Sequence, residues 1–222
     1  MVYPTCTNTV SGMTPPDLKE VVAVHLRSFP GFFLSQMGPR FLLCLYQELL
    51  GDPSGIALVC RQVHGIQGFV AGTAEPHGFY KRLLVGRWHR FALASVVPAL
   101  RNPTIVPRLL NAFRKTTEEP DDKGCGLLMS IAVGPDAQTG GMGAKLVQEF
   151  LTECQKRGLS SVHLTTDHYE NDRTNRFYSK LGFTITRVFT TPQGRVMNDY
   201  RIGITRIYIS KDQGGNEHGT CC

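Results

Sequence analysis

The feature that most constrains the fold is a glycine-rich turn, Gln138-Thr139-Gly140-Gly141-Met142-Gly143, which separates an apolar run from an amphipathic one. The apolar run, Leu127 to Val133, predicts a strand buried on both faces, and the amphipathic run from Met142 predicts a helix. A strand that turns through glycines into a helix places unpaired backbone N–H groups at the positive end of the helix dipole. The sequence therefore predicts an anion site here, open to close approach by a pyrophosphate.

A second block lies downstream, from Asn171 to Phe183, and it contains Phe177-Tyr178-Ser179-Lys180-Leu181-Gly182-Phe183. Together with Val133-Gly134-Pro135 and Gln138-x-x-Gly141-x-Gly143, this block resembles the acyl-CoA loop and the late helix of the GCN5-related N-acetyltransferases. The resemblance runs from about Gly126 to Phe183. It implies an N-acetyltransferase that takes acetyl-CoA as its donor and has an α/β fold, with a central mixed sheet flanked by helices.

Size and composition are those of a single globular domain, with 222 residues, 41% of them hydrophobic and 19% charged. We expect the domain to cover residues 1–210 and the polar residues 211–222 to form a disordered tail. The seven cysteines are scattered and odd in number, and no pair has the spacing of zinc ligands. This pattern favours a reducing, cytoplasmic environment and no metal. The sequence shows neither a signal peptide nor an apolar run of membrane-spanning length.

Hydrophobic periodicity predicts the order of helices and strands. A helix starts near Thr14-Pro15-Pro16-Asp17, the run Phe29-Pro30-Gly31-Phe32-Phe33 breaks it, and a second helix follows. We interpret His25, on the apolar face of the first helix, as structural. The remaining predicted elements are strands at Gly55–Val63, Gly65–Thr73, Gly126–Val133 and Ser161–Thr166, a helix at Asn171–Leu181, and a final hairpin of Phe183–Thr190 and Arg195–Ile204.

A basic segment follows the predicted third strand. From Gly78 to Thr117 the chain has eight Lys and Arg residues and no acidic one, although the net charge of the whole chain is +6. We predict two basic amphipathic helices here, as an insertion of about residues 78–123 between strands 3 and 4. The insertion has three interpretations: a solvated basic face, a surface that attracts an anionic acceptor, or a face that contacts an anionic membrane.

The resemblance implies which residues hold acetyl-CoA. The strand before the glycine loop offers backbone groups to the thioester and the pantetheine arm, and the loop surrounds the pyrophosphate. Asn171 binds the pantetheine arm or fixes the strand end, and the alternative for the bare residue is that it is only an N-cap. The implied cofactor-binding residues are Ile131, Ala132, Val133, Gln138, Thr139, Gly140, Gly141, Met142, Gly143, Ala144, Asn171 and Tyr178.

The resemblance also implies that Tyr178 is the general acid, since a phenol with a pKa near 10 suits protonation of a departing thiolate. The general base is open. Many relatives place a carboxylate on the strand ahead of the loop, but Leu127 to Val133 has none. Candidates elsewhere are Glu75 and His77 after the third strand and Asp167 and His168 after the fifth, and a chain of water molecules is a further alternative.

The acceptor is predicted to be the primary amine of a small molecule, such as a nucleotide-linked amino sugar. The aromatic residues at Phe29 to Phe33 are either part of the acceptor mouth or plugs of the core. Two alternatives remain open: a protein N-terminal or lysine acetyltransferase, and a non-catalytic acyl-CoA sensor docked to a membrane through the insertion. No nucleic-acid-binding motif is present.

Overall fold

The computed structural model describes residues 9–63, 65–101, 123–137 and 140–204. In these ranges seven strands form one sheet, in the order β1-β2-β3-β4-β5-β7-β6. β4 and β5 are parallel to each other, and the other neighbouring pairs are antiparallel. This mixed sheet confirms the predicted fold class. The strands are Thr9–Gly12 (β1), Gly55–Gln62 (β2), Gly65–Thr73 (β3), Cys125–Val133 (β4), Ser161–Asp167 (β5), Thr184–Thr190 (β6) and Val196–Gly203 (β7).

Helices cover both faces of the sheet, and successive residues of a strand enter different cores because their side chains alternate. Phe69 and Ala71 of β3 join the core under the early helices, whereas Val70 joins the core under the later two. The early helices are Leu18–Ser28 (α1), Phe33–Gln36 (α2), Gly38–Gly51 (α3), Phe79–Val85 (α4) and Trp88–Arg101 (α5), and the later two are Met142–Lys156 (α6) and Asp172–Lys180 (α7).

Two glycines of β3 let α6 lie close to the sheet. A Cβ at Gly72 would overlap the Leu127 carbonyl oxygen and come within 2.6 Å of the Phe150 ring. A Cβ at Gly68 would lie 2.9 Å from the Ala132 carbonyl oxygen. Since real Cβ atoms do not approach other atoms this closely, both positions need glycine, and α6 is seated at a depth that a larger residue would prevent.

The start of α1 is tied to β2 by an ion pair in which the carboxylate is buried and the guanidinium is partly exposed. Asp17 forms a capping box with Thr14 and accepts two hydrogen bonds from the Arg61 guanidinium, at 2.7 and 2.8 Å. These bonds lower the pKa of Asp17 to about 2. Because α1 ends beside β4, this pair fixes a helix that reaches the centre of the molecule.

Two helices, α4 and α5, follow β3, and residues 102–122 of the predicted insertion lie outside the described residues. Phe91 of α5 packs edge-on against Phe41 of α3, with ring centroids 5.3 Å apart. Two arginines of the segment, Arg87 and Arg90, both pair with Glu48 of α3. The positive charge of these two arginines is therefore partly neutralised.

Asp17→Asn should lower the free energy of unfolding by about 1–2 kcal/mol at pH 7, because it removes the charge that Arg61 binds. The folded-state pKa lies below the unfolded value of about 4, so the contribution is present above pH 4 and is lost as the pH falls toward 2. Urea unfolding at a series of pH values measures this. The difference between wild type and variant should shrink between pH 5 and pH 2, whereas the exposed Asp172→Asn serves as the control. A difference that does not change with pH would contradict the assignment.

Candidate active site

A gap opens between the two central parallel strands. β4 and β5 pair at three positions, from Cys125 opposite Ser161 to Leu127 opposite His163. On its other side β4 stays paired with β3 as far as Val133. Within the described residues the last part of β4 is thus bonded on one edge only, and a ligand with hydrogen-bonding groups can be added along the other edge.

A β-bulge marks the place where the strands separate. Leu128 lies opposite Gly72 and Ser130 opposite Ala71, so Met129 is an extra residue on β4 without a partner on β3. A bulge bends its strand and increases the local twist. The bulge lies two residues after the last β4–β5 pair, and it accounts for the divergence of the two strands.

The register of β3 and β4 shows which backbone groups face the gap. Gly134 donates to the Gln67 carbonyl at 2.7 Å, so these two form a hydrogen-bonded pair. Hydrogen-bonded and non-bonded pairs alternate along an antiparallel ladder. Ile131 and Val133 fall in the non-bonded positions, and their N–H and C=O groups point away from β3 toward the gap. Ala132 differs from this prediction, because its backbone faces β3 and its side chain lies in the first core.

The glycine loop ends at the start of α6, on the edge of the sheet where β4 ends. Gly140 and Gly141 have φ values of +94° and +73°, a region that favours glycine. Gly141 is the N-cap residue, and the first turn of α6 has no acidic side chain. The N–H groups of Met142, Gly143 and Ala144 have no partner within the helix, so this end attracts an anion. Gln138 and Thr139, which were predicted with this loop, lie outside the described residues.

Three elements meet where the gap reaches the loop. A Cβ on Gly143 would lie 3.4 Å from the Phe177 ring of α7 and 3.8 Å from Val133 of β4. From the opposite face, the Ser28 hydroxyl at the end of α1 donates to the Val133 carbonyl at 3.3 Å. The loop, the end of β4 and both flanking helices are thereby fixed relative to one another.

Tyr178 lies on α7 next to Phe177, in the second core. Its ring packs against those of Phe183 and Tyr200, with centroids 5.5 and 6.0 Å away. Only 4% of the residue is exposed, and this burial raises the pKa of the phenol above its usual value. The hydroxyl therefore stays protonated at neutral pH, as a proton donor must.

Asparagines hold α7 against the end of β5, and the sequence had singled out only one of them. Asn171 occupies the N-cap position but makes no side-chain capping bond; its amide donates to the Asp167 carbonyl at 3.4 Å. Asn175, one turn later, is more extensively bonded. It accepts from Thr166 at 2.7 Å and donates to the carbonyls of Asp167 and His168 at 3.2 and 3.4 Å. The i, i+4 spacing of the two asparagines was the available signal.

The structure brings Asp167 and His168 to the same edge of the sheet as the glycine loop, but both have partners. Asp167 accepts three hydrogen bonds of 2.7–3.0 Å from Arg195, of the β6–β7 hairpin. His168 Nδ1 lies 2.6 Å from the side-chain oxygen of Asn198, which is itself buried. Because Asn198 also donates to Asn175, His168 belongs to the network that positions α7.

Glu75 and His77 are at the wrong end of the sheet for the predicted role of base. They follow Thr73, which pairs with Leu127, whereas the glycine loop follows Val133. Six residues of strand separate these two levels by about 20 Å. The Glu75 carboxylate is largely exposed and lies 3.7 Å from Arg82. The structure therefore does not bring either residue together with the other candidates.

The aromatic residues of the run Phe29 to Phe33 are partly buried in the core and partly exposed, so both predicted roles, core plug and acceptor mouth, have candidates among them. Phe29 and Phe33 pack against the first core, and Phe32 is 50% exposed. Phe29 lies edge-on to both His25 and Phe32, with centroids 4.9 and 5.4 Å away. Since Ser28 contacts the end of β4, these rings border the gap on the α1 face.

In the described part of the chain, no cluster of three or more His, Cys, Asp or Glu side chains has an arrangement that could hold a metal ion. In the same ranges, none of the helices is both long and apolar enough to span a membrane.

Comparisons with known proteins agree with this geometry. The sequence model of the acetyltransferase (GNAT) family matches residues 18–183. A search of curated protein sequences returned no significant match. Solved structures show the same fold at low identity, and three of them are described here. The aminoglycoside 6′-acetyltransferase type Ii is 16% identical, with a TM-score of 0.57 over 88% of this chain and 97% of that chain.

The second is a ribosomal-protein-alanine N-acetyltransferase from Brucella melitensis, 12% identical, with a TM-score of 0.58 over 88% of this chain and 99% of that chain. The third is yncA from Salmonella typhimurium, solved with its cofactor acetyl-CoA. It is 15% identical, with a TM-score of 0.53 over 88% of this chain and 93% of that chain. These likenesses concern the fold, and the proteins that share it act on different acceptors.

Proposed function

The chain belongs to the GNAT acetyltransferase family, N-acetyltransferases that use acetyl-CoA, and on this premise we propose that it acetylates the primary amine of a small molecule by direct attack in a ternary complex. The observation that carries the proposal is the gap between β4 and β5, which ends at the glycine loop. A gap with backbone donors along one side and a helix N-terminus at its end suits a ligand that has amide groups at one end and a pyrophosphate at the other.

In this proposal, acetyl-CoA lies along β4 with its pantetheine arm as an added strand. The N–H groups of Ile131 and Val133 face the thioester carbonyl and the arm, since the register turns them toward the gap. The backbone of Gly140 to Ala144 surrounds the pyrophosphate. Donors fixed in place before reaction stabilise the oxyanion that forms as the amine attacks.

Tyr178 is the proposed general acid. As the C–N bond forms and the C–S bond breaks, the thiolate takes the phenolic proton and the amine loses a proton to solvent; the phenolate then regains a proton from solvent. Burial keeps the phenol protonated. Asn171 and Asn175 hold α7, and with it Tyr178, against the end of β5. Asp167 and His168 are assigned to the same positioning role, because their side chains are already bonded.

The proposed acceptor is an amino sugar, with a nucleotide-linked one first among candidates. Phe32 is half-exposed beside the gap and can stack on the apolar face of a sugar ring. A net charge of +6 favours an anionic acceptor over a polyamine or a lysine-rich peptide. The ion pairs of Arg87 and Arg90 with Glu48 weaken the contribution of the basic helices, so the aromatic mouth carries more of this assignment.

Tyr178→Phe should lower kcat by about a hundredfold, which is typical of the loss of a general acid, without changing the affinity for acetyl-CoA. Kd from calorimetry and kcat from product formation measure the two effects. Tyr200→Phe is the matched control, because Tyr200 is a buried tyrosine of the same core. Equal rates for wild type and Tyr178→Phe would remove Tyr178 from the mechanism.

Mass spectrometry of products should find acetylation of amino sugars in a panel of amines supplied with acetyl-CoA. The panel contains nucleotide-linked and free amino sugars, aminoglycosides, polyamines and short peptides. Transfer to a nucleotide-linked sugar would support the proposal, because a charged, ring-shaped acceptor fits the mouth. Acetylation of peptides alone would overturn the small-molecule assignment in favour of a protein acetyltransferase, and the fold would stay as described.

A second proposal concerns α5, which we infer to contact anionic membranes. Its outer face exposes large apolar side chains that no described element covers: Trp88, Leu93, Val96, Val97 and Leu100, at 66%, 76%, 48%, 47% and 81% exposure. A helix with one apolar face, a tryptophan and basic residues nearby is typical of interfacial binding. Such contact would place the enzyme beside lipid-linked or membrane-proximal substrates.

Co-sedimentation with phosphatidylserine vesicles should recover wild type in the pellet and the double variant Leu93→Ser/Leu100→Ser mainly in the supernatant. Arg87 and Arg90 are poor choices for this test, because their replacement would also break the ion pairs with α3. Val63→Ser is the matched control, since Val63 is 83% exposed on the β2–β3 hairpin. If wild type stays in the supernatant, α5 is not a membrane-binding face.

A further inference from the structure

A buried polar cluster lies on the α1 face of the sheet, and the acetyl-transfer chemistry described above does not use it. His25 of α1 and Tyr46 of α3 are each 2% exposed, and His25 Nδ1 lies 2.7 Å from the Tyr46 hydroxyl. Burial raises the pKa of the Tyr46 phenol, and a hydrogen bond from the Ser130 side chain of β4 opposes that shift. Two helices and the central strand thus meet at one tyrosine.

His25 is an unusual residue to bury here. Its ring is surrounded by those of Phe29, Tyr46 and Phe69, with centroids 4.9, 5.9 and 6.1 Å away. Its Nε2 atom is buried without a hydrogen-bond partner. Burial lowers the pKa of the imidazole to about 4, so the ring is neutral at physiological pH. A leucine would fill this place without the cost of an unpaired polar atom, which indicates that the histidine serves another purpose.

Because the imidazole is neutral, one of its nitrogens accepts, and the hydrogen bonds of the cluster can run from Ser130 through Tyr46 to His25. If Nδ1 accepts from the Tyr46 hydroxyl, the proton of the imidazole is on Nε2, and an N–H among aromatic rings costs less than a lone pair there. Tyr46 then has its oxygen free to accept from Ser130. The serine proton is directed inward by this arrangement, and the lone pairs of Ser130 Oγ are left facing outward.

Ser130 lies next to the proposed position of the thioester, where a lone pair that faces outward can accept a hydrogen bond from a substrate. Its neighbour Ile131 turns its N–H toward the gap, and consecutive Cα atoms are about 3.8 Å apart. Its side chain lies on the α1 face, the face that Phe29 and Phe32 border. The residue is half-buried and directly follows the bulge at Met129. A hydroxyl here therefore adjoins the proposed thioester position from the side of the aromatic mouth.

We propose that Ser130 Oγ accepts a hydrogen bond from the attacking amine of the acceptor, and that Tyr46 and His25 are positioning residues that hold this hydroxyl as an acceptor. The inference rests on the proposed function, because it assumes that an amine attacks a thioester in the gap. One N–H bonded to Ser130 directs the nitrogen lone pair at the carbonyl carbon. Such a contact orients the amine on a strand that has no carboxylate between Leu127 and Val133.

Aromatic rings enclose the cluster, since those of Phe29 and Phe69 flank His25. The aromatic walls exclude water, which strengthens each hydrogen bond of the chain from His25 to Ser130.

The test compares four variants with the best amine of the panel at saturating acetyl-CoA. Ser130→Ala and Tyr46→Phe should each lower kcat/KM for the acceptor about tenfold or more, since each breaks the chain. His25→Leu should do the same, whereas His25→Asn should keep most of the activity because its amide oxygen can replace Nδ1 as acceptor. Kd for acetyl-CoA should stay within about twofold throughout, as the variants leave the backbone of β4 in place.

A purely structural role predicts a different outcome. If His25 only holds Tyr46 in the core, His25→Leu leaves the buried Tyr46 hydroxyl without that partner and should lower the melting temperature while kcat/KM stays unchanged. A reduced kcat/KM that His25→Asn restores would therefore support the positioning role. Ser95→Ala, which removes a buried hydroxyl of α5 bonded only locally to Phe91, is the control for loss of a serine.

Two results would overturn the inference, and they differ in reach. In the first, wild type turns over an amine, and kcat/KM of both Ser130→Ala and His25→Leu stays within about twofold of the wild-type value. This result would reject the positioning role and leave the acetyltransferase assignment intact. Binding of acetyl-CoA without turnover of any amine by wild type would reject the proposed acceptor chemistry and this inference together.

Discussion

The divergence of β4 from β5 is the constraint on which the rest of the molecule depends. Parallel strands buried in a sheet normally continue to pair along their full length, because unpaired backbone groups in a protein interior are costly. Here pairing stops after three residue pairs, and a bulge at Met129 turns the rest of β4 away. The free edge that results is acceptable only where a ligand, solvent or a side chain can bond to it. The end of α1 and the start of α6 both lie beside this edge.

A separate polar network lies beside that edge on each face of the sheet. On the α7 face, Asn175 joins Thr166, Asn198 and two carbonyls at the end of β5, which keeps the late helix in place. On the α1 face, Ser28 bonds to the Val133 carbonyl, and Tyr46 bonds to His25. The side chains do little that is chemically reactive. Their main effect is to fix backbone donors and a few hydroxyl groups before substrates arrive, which is how preorganised sites lower a barrier.

The sequence predicted those parts of the fold that local patterns specify. Glycines at positions of positive φ, an apolar strand and amphipathic helices are properties of neighbouring residues, so the loop, β4, α6 and α7 were found with nearly correct bounds. Contacts between distant segments have no such local pattern. The pairing of Asp167 with Arg195 joins residues 28 positions apart, and the bond between His25 and Tyr46 joins residues 21 apart. For that reason Asp167 looked free to act as a base, and the partner of His25 could not be named from the sequence.

The orientation of α6 depends on the two glycines of β3 beneath it. Phe150 rests on the space at Gly72, about 12 Å along the helix from its first residue. A side chain at Gly72 would tilt α6 about this point, and a tilt of about 5° would move the first turn by about 1 Å. Displacements of that size are enough to slow catalysis by about a hundredfold. The accuracy of the anion site is therefore set partly by the absence of two side chains on a strand that never touches the ligand.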